Sequence, residues 1–175
     1  MKKLLIIFPG IGYGLDSPLL YYADFVYGTK GFDRIHMNYQ SIFSNRDLSL
    51  ENKLQKVREY ILEQVKAINF DLYDEVVFLS KSIGSVEAGI LAERLNLEVT
   101  EIFITPIEEA ISYCNTNSVV VIGTQDKAYE IYKEHCDKNK IKALYINDAN
   151  HSLEVEGQPY ESIDVLKRVM RFIER

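Results

Sequence analysis

The chain has 175 residues, 47% of them hydrophobic, and a net charge of −6 from 26 acidic against 20 basic side chains. That is enough apolar material for one core without disulfides or metal, so residues 1–175 are expected to form a single domain. The acidic residues are scattered among lysines, with no basic block to neutralise a run of phosphates, which argues against a nucleic-acid partner.

Cys114 and Cys136 form neither a Cys-x-x-Cys pair nor a zinc-site spacing, so reduced structural thiols are expected. No cluster of His, Cys and carboxylates has metal spacing, and neither a metal nor another cofactor is expected. Met1-Lys2-Lys3 followed by an apolar run resembles the start of a signal peptide. The run is too short, however, and ends in Pro9-Gly10 rather than a small-residue cleavage site. No segment approaches the roughly twenty apolar residues of a membrane span. The expectation is a soluble cytoplasmic chain with no membrane partner, and a homodimer stays open.

Short apolar runs alternate with segments of helical period, the pattern of a three-layer α/β/α sandwich around a mostly parallel sheet. The first strand spans residues 4–8 and runs into Phe8-Pro9-Gly10-Ile11-Gly12-Tyr13-Gly14. This loop resembles a phosphate cradle, but a dinucleotide fingerprint needs glycine where Leu15 stands and an acidic residue near Asn38. It fits better as a flexible loop whose Ile11 N–H points at a developing oxyanion, with Gly12 and Tyr13 beside a substrate pocket. A plain strand-to-helix turn explains the same glycines almost as well.

Ser17-Pro18 reads as an N-cap followed by proline at the first helical position, with Leu19, Tyr22 and Val26 forming a stripe that stops near Gly28. The second strand, residues 34–38, alternates in polarity and belongs nearer an edge. Leu50, Leu54, Val57, Ile61, Val65 and Ile68 recur at intervals of three and four, marking the longest inner helix face.

The third strand, residues 75–79, is continuously apolar, as a central parallel strand should be. It leads into Leu79-Ser80-Lys81-Ser82-Ile83-Gly84, a Ser-x-Ser-x-Gly turn followed by Ala88, Gly89 and Ala92 on a slim helix face. A sharp strand-to-helix turn pushes one side chain out above the carboxyl edge of the sheet and needs small residues two before and two after it. Gly84 meets that need, and Ser80 stands where glycine is usual. The turn nominates Ser82 as a nucleophile, with the Ile83 N–H as a second oxyanion donor and Lys81 beside the pocket. Its bland alternative is a serine-rich helix cap. A Ser-Lys mechanism is rejected, because no Ser-x-x-Lys spacing is present and Lys81 is expected to point away from Ser82.

The fourth strand spans residues 101–104. The fifth, residues 118–122, is again continuously apolar and is followed by Gly123-Thr124-Gln125-Asp126. The sixth, residues 143–146, is followed by Asn147-Asp148-Ala149-Asn150-His151. A closing helix carries Ile163, Leu166, Met170 and Ile173 on one face. Singly, Asp126 is an ordinary N-cap and His151 an ordinary surface residue. Jointly, loops after parallel strands emerge at one edge of the sheet, so Ser82, Asp126 and His151 converge in the order a nucleophile, its orienting acid and its base require.

These residues resemble the α/β-hydrolase family, specifically its short lidless members, over nearly the whole length. The likeness rests on the glycine loop, Ser82 in the elbow, Asp126 after the penultimate strand and His151 after the last. It implies a sheet ordered 2-1-3-4-5-6 and hydrolysis of a small ester or thioester through an acyl-enzyme on Ser82. An acyltransferase would use the same residues, and a non-catalytic binding protein could keep the scaffold. The chain opens at what would be the family's third strand, and Phe8-Pro9 stands where many members have histidine before glycine.

Asp148, three residues before His151, reads as a turn residue rather than the acid. His36 reads as structural or surface, and the neighbours His135 and Cys136 diverge too far around a helix to form a dyad. The 12 tyrosines mostly read as core cover, with Tyr13 the pocket candidate. Short loops predict an open, shallow site.

Overall fold

The computed structural model describes residues 1–174. Six strands, β1 (Lys3–Phe8), β2 (Asp33–His36), β3 (Glu75–Lys81), β4 (Thr100–Ile104), β5 (Ser118–Gly123) and β6 (Lys142–Ile146), form one sheet in the order β2-β1-β3-β4-β5-β6. Every pairing is parallel. The expected order and all six strands are present, with ends displaced by one or two residues. The apolar runs of β3 and β5 lie inside the sheet, and the alternating β2 is an edge.

The helices are α1 (Pro18–Thr29), α2 (Gln40–Ser44), α3 (Leu50–Val65), α4 (Gly84–Leu95), α5 (Tyr129–Asn139) and α6 (Pro159–Ile173). Parallel strands need crossovers, and the helices that make them cover both faces of the sheet. Side chains alternate accordingly. Leu5, Ile7, Val77, Leu79, Ile102, Ile104 and Val121 face α1 and α6, whereas Leu4, Ile6, Phe8 and Phe78 face α3 and α4. Phe103, Val120 and Ile122 continue the second face under Tyr132 and Cys136 of α5. Each fully buried aliphatic side chain contributes about 2 kcal/mol against exposure.

Three local expectations shift. Ser17 precedes α1 as foreseen, but its side chain makes no capping bond. The buried stripe of α1 is Leu19, Leu20, Ala23 and Tyr27, so Tyr22 faces outward, one position off the predicted face. In α3 only Val57, Ile61 and Val65 are buried, and Leu50 at its start is exposed. The short α2 went unpredicted, its five residues being too few for a period to register. Among the described residues, no helix is long and apolar enough to cross a membrane.

One buried group opposes folding. Glu101 on β4 is 4% exposed and its Oε1 has no hydrogen-bond partner among the described residues. Burial, with Glu93 nearby, pushes its carboxyl up from 4.5 to about 7. Below its ordinary value the group is protonated in folded and unfolded chains alike and costs nothing. As pH rises through 7 the folded chain must bury the charge, which costs about 3 kcal/mol once ionisation is complete. Glu101→Gln is therefore expected to unfold at higher urea than wild type at pH 8 and at nearly the same urea at pH 4.5, as read by circular dichroism. An advantage independent of pH would show that the carboxyl is not the penalised group.

Candidate active site

Strand β3 ends at Lys81 and α4 starts at Gly84, which leaves only Ser82 and Ile83 to reverse the chain. Ser82 takes φ 55, a left-handed conformation that costs a residue with a Cβ roughly 1–2 kcal/mol. Its surroundings hold it there. The Ser82 N–H donates to the Ile104 carbonyl at 3.2 Å, and its own carbonyl accepts from the Ser85 N–H at 3.0 Å and the Ser85 hydroxyl at 2.6 Å.

Close backbone approach explains the small residues. A Cβ on Gly84 would overlap the Phe8 carbonyl, and one on Gly10 would lie 3.0 Å from the Ser82 Cβ. Ser80, in place of the usual glycine, is accommodated: it is fully buried and its hydroxyl donates to the Ile102 carbonyl at 3.3 Å.

The loops after β5 and β6 are laced together beside this turn. Thr124 N–H donates to Ile146 at 2.9 Å and Gln125 N–H to Ala149 at 3.0 Å, while the Asp148 N–H meets Thr124 Oγ1 at 2.9 Å. A Cβ on Gly123 would overlap the Ala149 carbonyl, so glycine is required for the two loops to touch. Asp148 takes φ 57 and closes the turn, as expected of it. Beyond it Asn150 Oδ1 accepts the N–H groups of Ser152 at 2.8 Å and Glu154 at 3.2 Å, shaping the segment that carries His151.

The outcome is a row of three side chains. Asp126 Oδ2 lies 2.6 Å from His151 Nδ1, and His151 Nε2 lies 2.9 Å from Ser82 Oγ. Asp126 also accepts the Ala128 N–H at 3.0 Å, so it serves as a local turn cap and as the partner of His151 at once. Burial pushes its carboxyl up, but the bonds from His151 and Ala128 and the charge of Lys81 outweigh that and hold it below the ordinary aspartate range. The Asp126 side chain is 3% exposed against 47% for His151, so the acid is shielded while the imidazole reaches solvent.

Neither the Ile11 nor the Ile83 N–H has an acceptor among the described residues. The glycine loop is braced from beneath by two side chains not nominated from sequence: Tyr39 donates its hydroxyl to Pro9 O at 2.8 Å, and Gln40 donates to Gly10 O at 2.6 Å. Tyr39 is 1% exposed, in keeping with the reading of most tyrosines as core cover.

Two pocket expectations part ways. Tyr13 is half-buried, accepts the Leu19 N–H at 3.1 Å, and lines a groove of about 800 Å³ with Leu19, Leu153, Val155 and Leu166, next to Asn150 and Ser152 that flank His151. Gly12, at φ 71, sits at the open turn of the loop, where an added Cβ would meet nothing within 4 Å. Lys81 does not line a pocket: at 1% exposed it is enclosed beneath the row, because strand alternation turns it to the face opposite Ser80.

The residues set aside stay apart from the row. His36 Nε2 pairs with Asp24 Oδ1 at 2.6 Å, and His135 Nε2 lies 2.8 Å from the Cys114 carbonyl.

At the level of sequence, no family model and no curated protein matches the chain. Its fold has many solved relatives. A serine hydrolase without lid from Xanthomonas campestris superposes with a TM-score of 0.68 at 16% identity, covering 99% of this chain and 81% of that one. Dienelactone hydrolase from Anabaena variabilis gives 0.67 at 14% identity, covering 98% and 85%. Est1E from Butyrivibrio proteoclasticus, solved with ferulic acid bound, gives 0.62 at 12%, covering 99% and 90%. The chain thus has the α/β-hydrolase fold.

The contact between the Asp126 and His151 loops is testable without reference to chemistry. Gly123→Ala should destabilise the protein by about 1–3 kcal/mol, because the added methyl meets backbone that has nowhere to go. Gly14→Ala, whose Cβ would find only Gln40 Cγ at 3.9 Å, should stay within about 0.5 kcal/mol of wild type. Urea titration reads both, and equal midpoints for the two variants would refute the close approach.

Proposed function

We propose that the protein is a serine hydrolase that cleaves a small ester or thioester through an acyl-enzyme on Ser82. The observation that carries this reading is the continuous hydrogen-bonded row from Asp126 through His151 to Ser82 Oγ. The likeness to a lidless serine hydrolase supports it at the level of fold.

In this mechanism His151 Nε2 takes the proton from Ser82 Oγ as the oxygen attacks the substrate carbonyl carbon. Asp126 holds the imidazole in the tautomer with its proton on Nδ1 and stabilises the imidazolium that forms. The carbonyl oxygen gains the negative charge and meets the N–H groups of Ile11 and Ile83, a pair of fixed dipoles worth about 3 kcal/mol each where water is excluded. His151 then passes its proton to the leaving alcohol or thiol, and the acyl group remains on Ser82. Water, deprotonated by His151, releases the acid in the same manner.

The groove beside His151 supports a substrate with a modest apolar part. Leu19, Leu153, Val155 and Leu166 give it an apolar lining, and Glu154 and Glu156 stand along it as negative charges. These disfavour an anionic substrate.

A fluorophosphonate probe should label the wild type and leave Ser82→Ala unlabelled, and p-nitrophenyl acetate and butyrate should be hydrolysed only by the former. Equal hydrolysis by both folded proteins would sink the proposal. Asp126→Asn should lose on the order of 10⁴-fold in kcat, the scale seen when the orienting acid of such a row is neutralised. Activity should fall on acidification as the imidazole takes a proton, so a flat profile from pH 5 to 8 would remove His151 from the role of base.

A further inference from the structure

Lys81 is the one buried cation at this edge of the sheet that the mechanism above leaves without work. In β3, Val77, Leu79 and Lys81 project to one face, and the first two belong to the apolar core beneath α1 and α6. At the third position that alternation calls for another apolar side chain, and a lysine stands there instead, 1% exposed. Burying an ammonium costs several kcal/mol unless its protons are matched, so such a residue is retained only where its surroundings accept it.

Here the surroundings supply two acceptors and an aromatic face. Nζ donates to Thr105 Oγ1 and to the His151 carbonyl, the latter at 2.7 Å. It also lies 4.9 Å from the centroid of the Tyr13 ring, within the range of a cation–π contact. Those three partners come from three separate segments: the end of β4, the loop after β6, and the glycine loop. Asp126, from the loop after β5, is near enough for its charge and that of Lys81 to stabilise one another. The charged and titratable groups facing Lys81 are therefore Asp126, His151 and Tyr13, and Glu154 in turn acts on Tyr13.

We propose that Lys81 is an electrostatic positioning residue, a buried cation fixed under the loop of His151 that opposes a second positive charge on the imidazole and so keeps the base unprotonated. The inference rests on the proposed hydrolase reading for its catalytic meaning. A carboxylate beside a histidine on its own draws a proton onto the ring, and a cation held on the backbone carbonyl of the same residue works against that. The two charges thus act on His151 in opposite senses, and Asp126 can orient the imidazole without trapping it as imidazolium before substrate arrives. Burial lowers the Lys81 ammonium to about 8, with Asp126 opposing the shift, so the cation is present throughout the acidic and neutral range where the base is at risk of protonation.

The test replaces Lys81 with glutamine, which keeps hydrogen-bond donors toward Thr105 and His151 and removes the charge. The His151 imidazole is followed by proton NMR against pH, with His36 and His135 as internal references. In Lys81→Gln the His151 titration should move to higher pH by about half a unit or more, a shift in keeping with a charge a few ångströms away in a partly screened site. In the hydrolysis of p-nitrophenyl acetate the acid limb of kcat/KM should move with it, so that below the limb the wild type outpaces the variant by about threefold or more. A purely structural role predicts the reverse: a loosened loop weakens the bond to Asp126 and shifts the titration downward. An unchanged or lowered His151 titration in a folded variant overturns the inference. If Lys81→Gln does not fold, Lys81→Met, of similar volume, is read by the same measure. The NMR titration needs no turnover, so an unreactive Ser82 would end the hydrolase reading and still leave the effect of Lys81 on His151 decided.

Discussion

The conformation of a single residue governs the carboxyl edge of this sheet. Ser82 sits in the left-handed region between β3 and α4, and a serine stays there only because neighbours on every side occupy the space a relaxed turn would use. That demand spreads outward. It removes the side chains at Gly10 and Gly84, brings the end of β1 against the start of α4, and hands the Ser82 N–H to the end of β4. Strands β1, β3 and β4 are thereby locked at one level, which in turn sets the height at which the loops after β5 and β6 must deliver Asp126 and His151.

The two ends of the sheet treat buried charge differently. At the carboxyl edge Asp126 and Lys81 are both enclosed, yet each has oxygen or nitrogen partners and each softens the burial of the other. Near the amino ends of β4 and β5, Glu101 is enclosed with Glu93 as its nearest charge and no donor for Oε1. A network that satisfies its members can be retained at little net cost, whereas a lone carboxylate is a standing liability.

Much of the fold was legible because its signals are local. Continuous apolar runs such as Val76 to Leu79 and Val119 to Ile122 have one stable environment, the inside of a parallel sheet, and the order of strands followed once the motifs after them were recognised. Ser82, Asp126 and His151 were legible as residue types at strand ends. What escaped was settled by contacts distant in sequence. The buried face of α1 includes Tyr27, whose hydroxyl donates to the Ile173 carbonyl at the end of α6, a partner 146 positions away. From sequence, Lys81 is expected to point away from Ser82 yet also to lie beside the pocket, and only the packing of Tyr13, Thr105 and His151 around it shows that it is enclosed. Tyr39 and Gln40 carry no motif, and their bonds to Pro9 and Gly10 exist only once α2 has been laid under the loop.

The composition of β2 bears on how copies of the chain meet. An open parallel sheet ends in strands with unpaired backbone groups, which invite another chain to extend it. Here that strand is four residues long and reads Asp-Arg-Ile-His, with Arg34 and His36 both drawn to Asp24 on α1 and Asp33 held by Lys2 and Tyr73. An incoming strand would have to strip these charges of water and partners to gain a few backbone bonds. This border of the sheet is short and charged, a composition that disfavours pairing with a further strand.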